Sequence, residues 1–353
     1  MSKLRLYRSI ISGEAGAWAE PLRGLFRIGE FIYSAAINLR NTRYDRAAAT
    51  FAAAVPVISV GNITVGGTGK TPFVIELVKR LDRLGCSPVV VARGYGAAPD
   101  EPNDEELLIR RNCPGAAYVA DSDRCQAAER AANRMGADVI VLDDGFQHRR
   151  LARDLDIVLI DATCPFGYEH VLPRGLLREP LIGLRRAHLV VITRCDQASM
   201  ADVSRIDSRL RELAPDAAVI RCRHRVTAVE CLDGSPIEDP VAGKRAVLFA
   251  AVGRPGAFAT TVSSLGVDVV AARWWPDHHC YRVRDIKSLL DDRSFTPHDL
   301  VLTTEKDAVK LAGLDGFDRT AIGVVRIAID FLGEGDTMLQ RLLERTLRRE
   351  QTS

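Results

Sequence analysis

A glycine-rich turn set between an apolar run and an amphipathic pattern limits this chain more than any other feature. In "VISVGNITVGGTGKTPFVIELVKRLDRLG" (57–85) the run "VISV" reads as a buried strand, and Phe73, Val74, Leu77, Leu81 and Leu84 share one helical face that Gly85 stops. Gly66, Gly67, Thr68 and Gly69 leave backbone N–H groups able to curl round phosphate oxygens. Lys70 follows to reach the terminal phosphates, and Thr71 offers a hydroxyl to Mg²⁺ at the helix start. The strict G-x-x-x-x-G-K-[ST] spacing would need glycine at position 64, where the chain has Thr64, so a turn of purely structural use is the competing reading.

A phosphate loop of this kind needs a carboxylate on the magnesium side, at the end of a neighbouring buried strand. "DVIVLDDGFQH" meets that need with four apolar positions running into Asp143 and Asp144, although paired acids also serve as turn or capping residues. A guanine-reading switch fits less well. Its Asn/Thr-Lys-x-Asp segment is approached only by "TRCD" (193–196), and a D-x-x-G element starting at Asp143 would meet Phe146. ATP is the expected nucleotide.

Short β-branched runs alternate with helical patterns along the rest of the chain, as in parallel sheets covered by helices on both faces. Strands are expected at "VPVISV", "PVVVA", "DVIVL", "DIVLI", "LVVIT", "AVLFAAV", "LVLTT" and "GVVRIAI", with helices near 123–135, 201–213 and 337–349. The fold class read from this is α/β, with two α/β/α sandwich domains of which the first is a P-loop parallel sheet. The irregular stretch from Gln197 to Pro240 suggests the division: an N-terminal helix region (1–45), a P-loop kinase domain (46–222) and a smaller α/β domain (223–353).

Composition narrows the setting. A net charge of +2 gives no ground for a nucleic-acid partner, and eight cysteines without a C-x-x-C pair suggest neither a zinc site nor a disulfide framework. A reducing compartment follows. No cleavable leader is visible at the start. The most apolar segment, 17–39, is broken by Arg23, Arg27 and Glu30 and falls short of the roughly 20 apolar residues of a span. In that segment Arg23, Arg27, Glu30, Ser34 and Asn38 form one polar stripe on a broad apolar helix, with Arg40, Arg43 and Arg46 after it. Such a helix suits a membrane interface, or packing on its own domain.

The blocks "GNITVGGTGKTP", "ARGYG" (92–96), "DDGFQHRRLARDLDIVLID" (143–161), "LPRGLLRE" (172–179), "VGRPGAF" (252–258), "DHHCY" (277–281) and "TEKDAVK" (304–310) together resemble the tetraacyldisaccharide 4'-kinase family of lipid A synthesis. The resemblance covers most of the chain from 56 to 310. It implies transfer of the γ-phosphoryl of ATP to the 4' hydroxyl of tetraacyldisaccharide 1-phosphate, making lipid IVA. It also implies a membrane-embedded acylated disaccharide phosphate as partner, met at the cytoplasmic face of the bacterial inner membrane. Another P-loop small-molecule kinase, or a nucleotide-hydrolysing switch, is the rival reading.

By the same resemblance Asp144 and Glu179 sit near Mg²⁺ with Thr71, and Arg178 meets a phosphate. The family's Gly-Asp-Glu-Pro and Asp-His-x-x-Tyr segments match "NDEE" (103–106) and "DHHCY", which makes Asp104 the base and His278 its partner. His279 next door offers the same chemistry. Asn103 and Glu106 stand where the family has glycine and proline. Arg93, Tyr95, Gln147 and His148 are further candidates, while Glu305, Lys306 and Asp307 serve either the site or the joint between domains. His170, His188, His224 and His298 are read as surface or core residues.

Overall fold

The structure is a computed structural model describing residues 3–44, 50–94, 101–237, 240–292 and 300–348. Helices α1 (Lys3–Ser12) and α2 (Glu20–Tyr44) precede the first half, which runs β1 (Val57–Asn62), α3 (Lys70–Arg83), β2 (Pro88–Ala92), α4 (Asp104–Asn112), β3 (Ala117–Ala120), α5 (Arg124–Arg134), β4 (Val139–Asp143), β5 (Leu155–Asp161), β6 (Leu189–Thr193), α6 (Met200–Leu213) and β7 (Ala218–Cys231). The second half runs β8 (Arg245–Ala250), α7 (Pro255–Ser263), β9 (Asp268–Trp274), α8 (Val283–Leu290), β10 (Leu300–Thr304), α9 (Glu305–Leu311), β11 (Ile322–Leu332) and α10 (Gly335–Arg348).

Among the described residues eleven strands join one sheet in the order β3-β2-β4-β1-β5-β6-β7-β11-β10-β8-β9. Every described pairing is parallel except β7 with β11. The parallel strands β1, β2, β4, β5 and β6 are buried along their whole length, as strands covered on both faces must be. One face of the first half packs on α3, α4 and α10 around Phe73, Leu77, Ile109 and Leu339. The other packs on α5 and α6 around Ala128, Leu142, Ile160 and Leu210. The second half repeats the three layers with α8 and α9 on one side and α7 on the other. This is an α/β fold of two α/β/α sandwiches sharing a sheet.

Of the long ribbon, β11 was expected at "GVVRIAI", but β7 and its pairing with β11 went unread in the sequence. Residues Ala218–Cys231 alternate only weakly between buried and exposed positions, because one strand serves both halves and its two ends have different neighbours. The expected division at 222/223 falls inside β7, and α10 puts Leu339 and Leu343 into the core of the first half. The register of β7 against β11 shifts between Arg326 and Ile327, a bulge that adds local twist at the seam.

Helix α2 turns Arg23 and Glu30 of its stripe inward, together with Tyr33, while Arg27 and Asn38 stay exposed. Arg23 is buried and donates to the carbonyls of Ile10 and Gly16, Glu30 accepts from Val171 N and pairs with His170, and Tyr33 Oη donates to the Arg178 carbonyl. Leu25, Ile28, Phe31, Ile32 and Leu39 face outward, Phe31 being 76% exposed. Among the described residues no helix is long and apolar enough to cross a membrane.

Phe73 couples the helix after the glycine loop to the ribbon: fully buried on α3, its ring meets Phe331 of β11 edge-on at 6.3 Å. Phe73→Ala is expected to destabilise the protein by about 3–5 kcal/mol in urea unfolding, the cost of a large cavity at a rigid joint.

Candidate active site

The C-terminal ends of parallel strands leave a crevice where chain connections diverge, and ligands settle there. Here the reversal at β7/β11 turns the strand ends of both halves toward one cleft of about 620 Å³. Val325, Ile327 and Ile329 of the ribbon line it together with the glycine loop, and the loops after β8 and β10 close the far side. Its volume suits a nucleotide-sized ligand.

Gly66 and Gly69 take φ of 114° and 89°, left-handed values that side chains resist, so the glycines are what let the loop turn into α3. Gly67 meets a second constraint. A Cβ on Gly253, from the loop after β8, would lie 2.6 Å from Gly67 N, so the two loops touch backbone to backbone. Lys70 Nζ reaches Asn62 Oδ1 at 3.2 Å and Asp144 Oδ1 at 3.3 Å. Thr71 is buried in the first turn of α3 and lines the cleft with Gly66–Lys70.

Asp143 and Asp144 end β4 with different surroundings. Asp143 is 2% exposed, and its Oδ1 is buried with no hydrogen-bond partner among the described residues. Burial and the nearby charge of Glu105 push its carboxyl up, against the pull of Lys70. Asp144, at φ 52°, accepts both Arg178 contacts, at 2.9 and 2.8 Å; burial opposes its charge, yet Lys70 and Arg178 hold it well below the usual carboxylate range. A buried carboxylate oxygen without a donor, beside a hydroxyl and a second carboxylate, is a donor set that fits Mg²⁺. Glu179 stands apart from this set. It is fully buried, with Oε1 accepting from Gln147 at 2.9 Å and Oε2 from Arg186 at 2.7 Å, and it is not among the residues lining the cleft. Gln147 also donates to the Asn62 carbonyl at 2.9 Å, so both residues brace the loop from behind. His148 is half-buried beside Arg124 and Arg153; burial first, then those charges, lower its pKa to about 4.

Across the cleft, His278 Nδ1 lies 3.1 Å from both oxygens of Asp104, so the structure pairs α4 of the first half with the loop after β9 in the second. His279 stacks on Trp275 and reaches Asp285 instead. Asn103 caps α4 by accepting from Glu106 N at 2.7 Å, and Glu106 pairs with Arg110; the departures from Gly-Asp-Glu-Pro thus become a helix start that presents Asp104. Burial would raise the Asp104 carboxyl, but the His278 hydrogen bond and the Lys306 charge bring it down to about 2. The hydrogen bond to Asp104 raises His278 in turn.

Among the described residues five non-glycines have positive φ, and three of them, Asp144, Arg194 and His278, line the cleft. Strain gathered in this way marks a functional centre. Arg93 lines the cleft near Arg124, whereas Tyr95 lies outside the described residues, as does His298.

Sequence reading missed a second support for the loop. Arg194, in the segment set aside as a failed guanine reader, donates to the Gly67 carbonyl at 3.0 Å and to Asp161 at 2.5 Å, and Arg254 of the second half reaches the same carboxylate at 3.4 Å. The signal was present: Asp161 and Arg194 both end apolar strand runs. His224 on β7 also lines the cleft. A Cβ on Gly69 would meet its Nε2 at 2.8 Å, and burial lowers its pKa to about 3, leaving a neutral ring under the loop.

A glycine loop leading into Lys70 and Thr71 on one wall, with a carboxylate–imidazole pair on the other, makes the arrangement of a P-loop phosphotransferase. Residues 22–348 match the family model described as tetraacyldisaccharide-1-P 4'-kinase. A tetraacyldisaccharide 4'-kinase from Anaeromyxobacter sp. (strain K) is 39% identical over 336 residues, covering 88% of this chain and 87% of its own. One from Syntrophus aciditrophicus is 39% identical over 322 residues, covering 84% and 86%. The crystal structure of LpxK from Aquifex aeolicus in complex with ATP superposes with a TM-score of 0.69 at 27% identity, over 92% of this chain and 99% of that one. The chain belongs to the tetraacyldisaccharide 4'-kinase family, the lipid A 4'-kinases.

The Asp104–His278 pair makes stability depend on pH. Asp104, depressed to about 2, contributes fully above its unfolded value of about 3.9 and loses that contribution as pH falls through 2. His278, raised, contributes fully below about 6.5 and loses it as pH climbs past its folded value. The thermal midpoint of His278→Gln is therefore expected to lag the wild type most between about pH 4 and 6.5, narrowing on both sides.

Proposed function

We propose that this enzyme transfers the γ-phosphoryl of ATP to the 4' hydroxyl of tetraacyldisaccharide 1-phosphate, giving lipid IVA, at the cytoplasmic surface of the inner membrane. The observation that carries this reading is the cleft itself. It joins the loop Gly66–Thr71 to the Asp104–His278 pair, so donor phosphates and acceptor hydroxyl have facing walls.

Gly66–Gly69 and Lys70 hold the triphosphate, and Arg178 sits ready beside Asp144 to meet a phosphate oxygen. Thr71, Asp143 and Asp144 would hold Mg²⁺, which would supply positive charge against the developing charge of the transferred group. Glu179 joins that set only by giving up Gln147 or Arg186, and serves here to brace the loop. The acceptor oxygen forms its bond to the γ phosphorus while the bond to the ADP oxygen breaks, and the hydroxyl proton passes to the Asp104–His278 pair. Because Asp104 and His278 come from different halves, closing of the second half on the first completes the site.

A substrate with four acyl chains stays in its bilayer, and the outward row Leu25, Ile28, Phe31, Ile32 and Leu39 is too apolar and continuous to be idle surface. Arg27 on α2, with Arg40 and Arg43 near its end, suits anionic head groups.

Incubation with γ-labelled ATP and acylated disaccharide 1-phosphate is expected to label the lipid. Lys70→Ala should lose transfer by about a hundredfold or more. Phosphate released to water at the same rate with and without the lipid would point to a hydrolytic switch instead. In flotation assays, Ile28→Glu with Phe31→Glu is expected to weaken binding to anionic vesicles by about a hundredfold, the loss of roughly 3 kcal/mol of apolar burial.

A further inference from the structure

Lys306 has no part in the transfer chemistry described above, yet it occupies the junction of the two halves. It follows β10 in the second residue of α9, lines the cleft, and is nearly buried, with 17% of its side chain exposed. Its ammonium lies 3.5 Å from Asp104 Oδ2 and 3.4 Å from Asp277 Oδ1, while His278 stands between these two acids, with Nδ1 3.1 Å from Asp104 and Nε2 3.9 Å from Asp277. We propose that Lys306 is a positioning residue for phosphoryl transfer: lodged between Asp104 of one half and Asp277 of the other, it seats Asp104 against His278 and balances the charge around that pair.

The neighbouring charges fix the sign of the effect. The His278 ring feels the carboxylates of Asp104 and Asp277 and the ammonium of Lys306, while Glu105 acts on Lys306 and the more distant Lys310 on Asp104. Burial would lower Lys306, but Asp277, Asp104 and Glu105 together raise it, so it remains charged throughout the working range. With that charge present, Asp104 stays ionised and His278 is kept from holding its proton too tightly. Without it, Asp104 and Asp277 would face the imidazole uncompensated, and the imidazolium would persist to higher pH. A proton-accepting pair in that condition accepts poorly at neutral pH. Lys306 acts on the reaction only through Asp104 and His278. Its neighbour Asp307 does different work, holding Ala251 N, Tyr281 Oη and Thr304 Oγ1 and so anchoring the loop ends of the second half.

The inference rests on the kinase reading, and its test has an arm that does not. In the full chain, the titration of the His278 imidazole is followed by NMR, with the resonance assigned by His278→Gln. Lys306→Met is expected to move that titration to higher pH, Asp277→Asn to lower pH, and Lys306→Arg to leave it near the wild-type value. These opposite signs are those of point charges, which a purely structural lysine would not produce. In the transfer assay, Lys306→Met should lose about tenfold or more in kcat at pH 7 with KM for ATP little changed, its rising pH limb displaced the same way, and Lys306→Arg should recover most of the rate. Titrations that move together in Lys306→Met and Asp277→Asn, or do not move, would overturn the inference. Should Lys306→Met fail to fold, Asp277→Asn must still lower the titration for the inference to stand. A wild-type chain that leaves the lipid unlabelled refutes the kinase reading, while the NMR arm still decides the charge balance.

Discussion

The antiparallel pairing of β7 with β11 is the constraint on which the rest depends. Parallel strands send their C-terminal ends to one edge, so a second parallel block added in the same sense would present its loops beside those of the first. The reversal at the seam, with the extra twist of the bulge near Arg326, instead sets the two blocks of loops face to face. Glu230 and Glu305 both pair with Arg326 at this point, tying the ribbon to the start of α9. Phe73 and Phe331 extend the connection to the helix that begins at Lys70.

The glycine loop is held from three sides before any ligand enters. Asn62 at the end of β1 and Gln147 in the loop after β4 brace it, Arg194 holds the Gly67 carbonyl from the end of β6, and Gly253 of the second half touches Gly67 N. Such supports reduce the reorganisation left for the moment of reaction, which is where electrostatic catalysis gains most. The opposite wall is less rigidly built. Asp104 and His278 meet only because two halves meet, and their contact is ionic, with Lys306 and Asp277 close by.

Much of this was legible in the chain. Glycines at 66, 67 and 69, the Lys70–Thr71 pair and the acids ending β4 announce themselves because a phosphate site needs those residue types at those spacings. The strands buried on both faces were plain for a similar reason, since a short continuous run of β-branched apolar residues is stable in water only where helices cover both of its faces. What stayed hidden was context. β7 carries arginines at 221, 223 and 225 that read as a loop, yet it forms the ribbon because its backbone finds a partner in β11 about a hundred residues away. Glu179 sits in a block that resembles a metal-binding motif, but its environment is decided by Arg186 and Gln147, which no spacing rule joins to it. Arg194 and His224 were passed over because their roles belong to the loop they support, and only the fold puts them under it. For α2 the periodicity gave the polar stripe but not its facing, which Arg23 and Glu30 set by binding the body of the protein.

That facing has a kinetic consequence. Tyr33 ties the inner face of α2 to the Arg178 carbonyl, and Arg178 grips Asp144, so a short covalent and hydrogen-bonded path runs from the greasy outer row to the acid beside the phosphate loop. If that row rests on lipid as proposed, the enzyme meets its acceptor by lateral diffusion in a plane, at a height the helix fixes, and its turnover then depends on how long it remains there as well as on how fast it reacts.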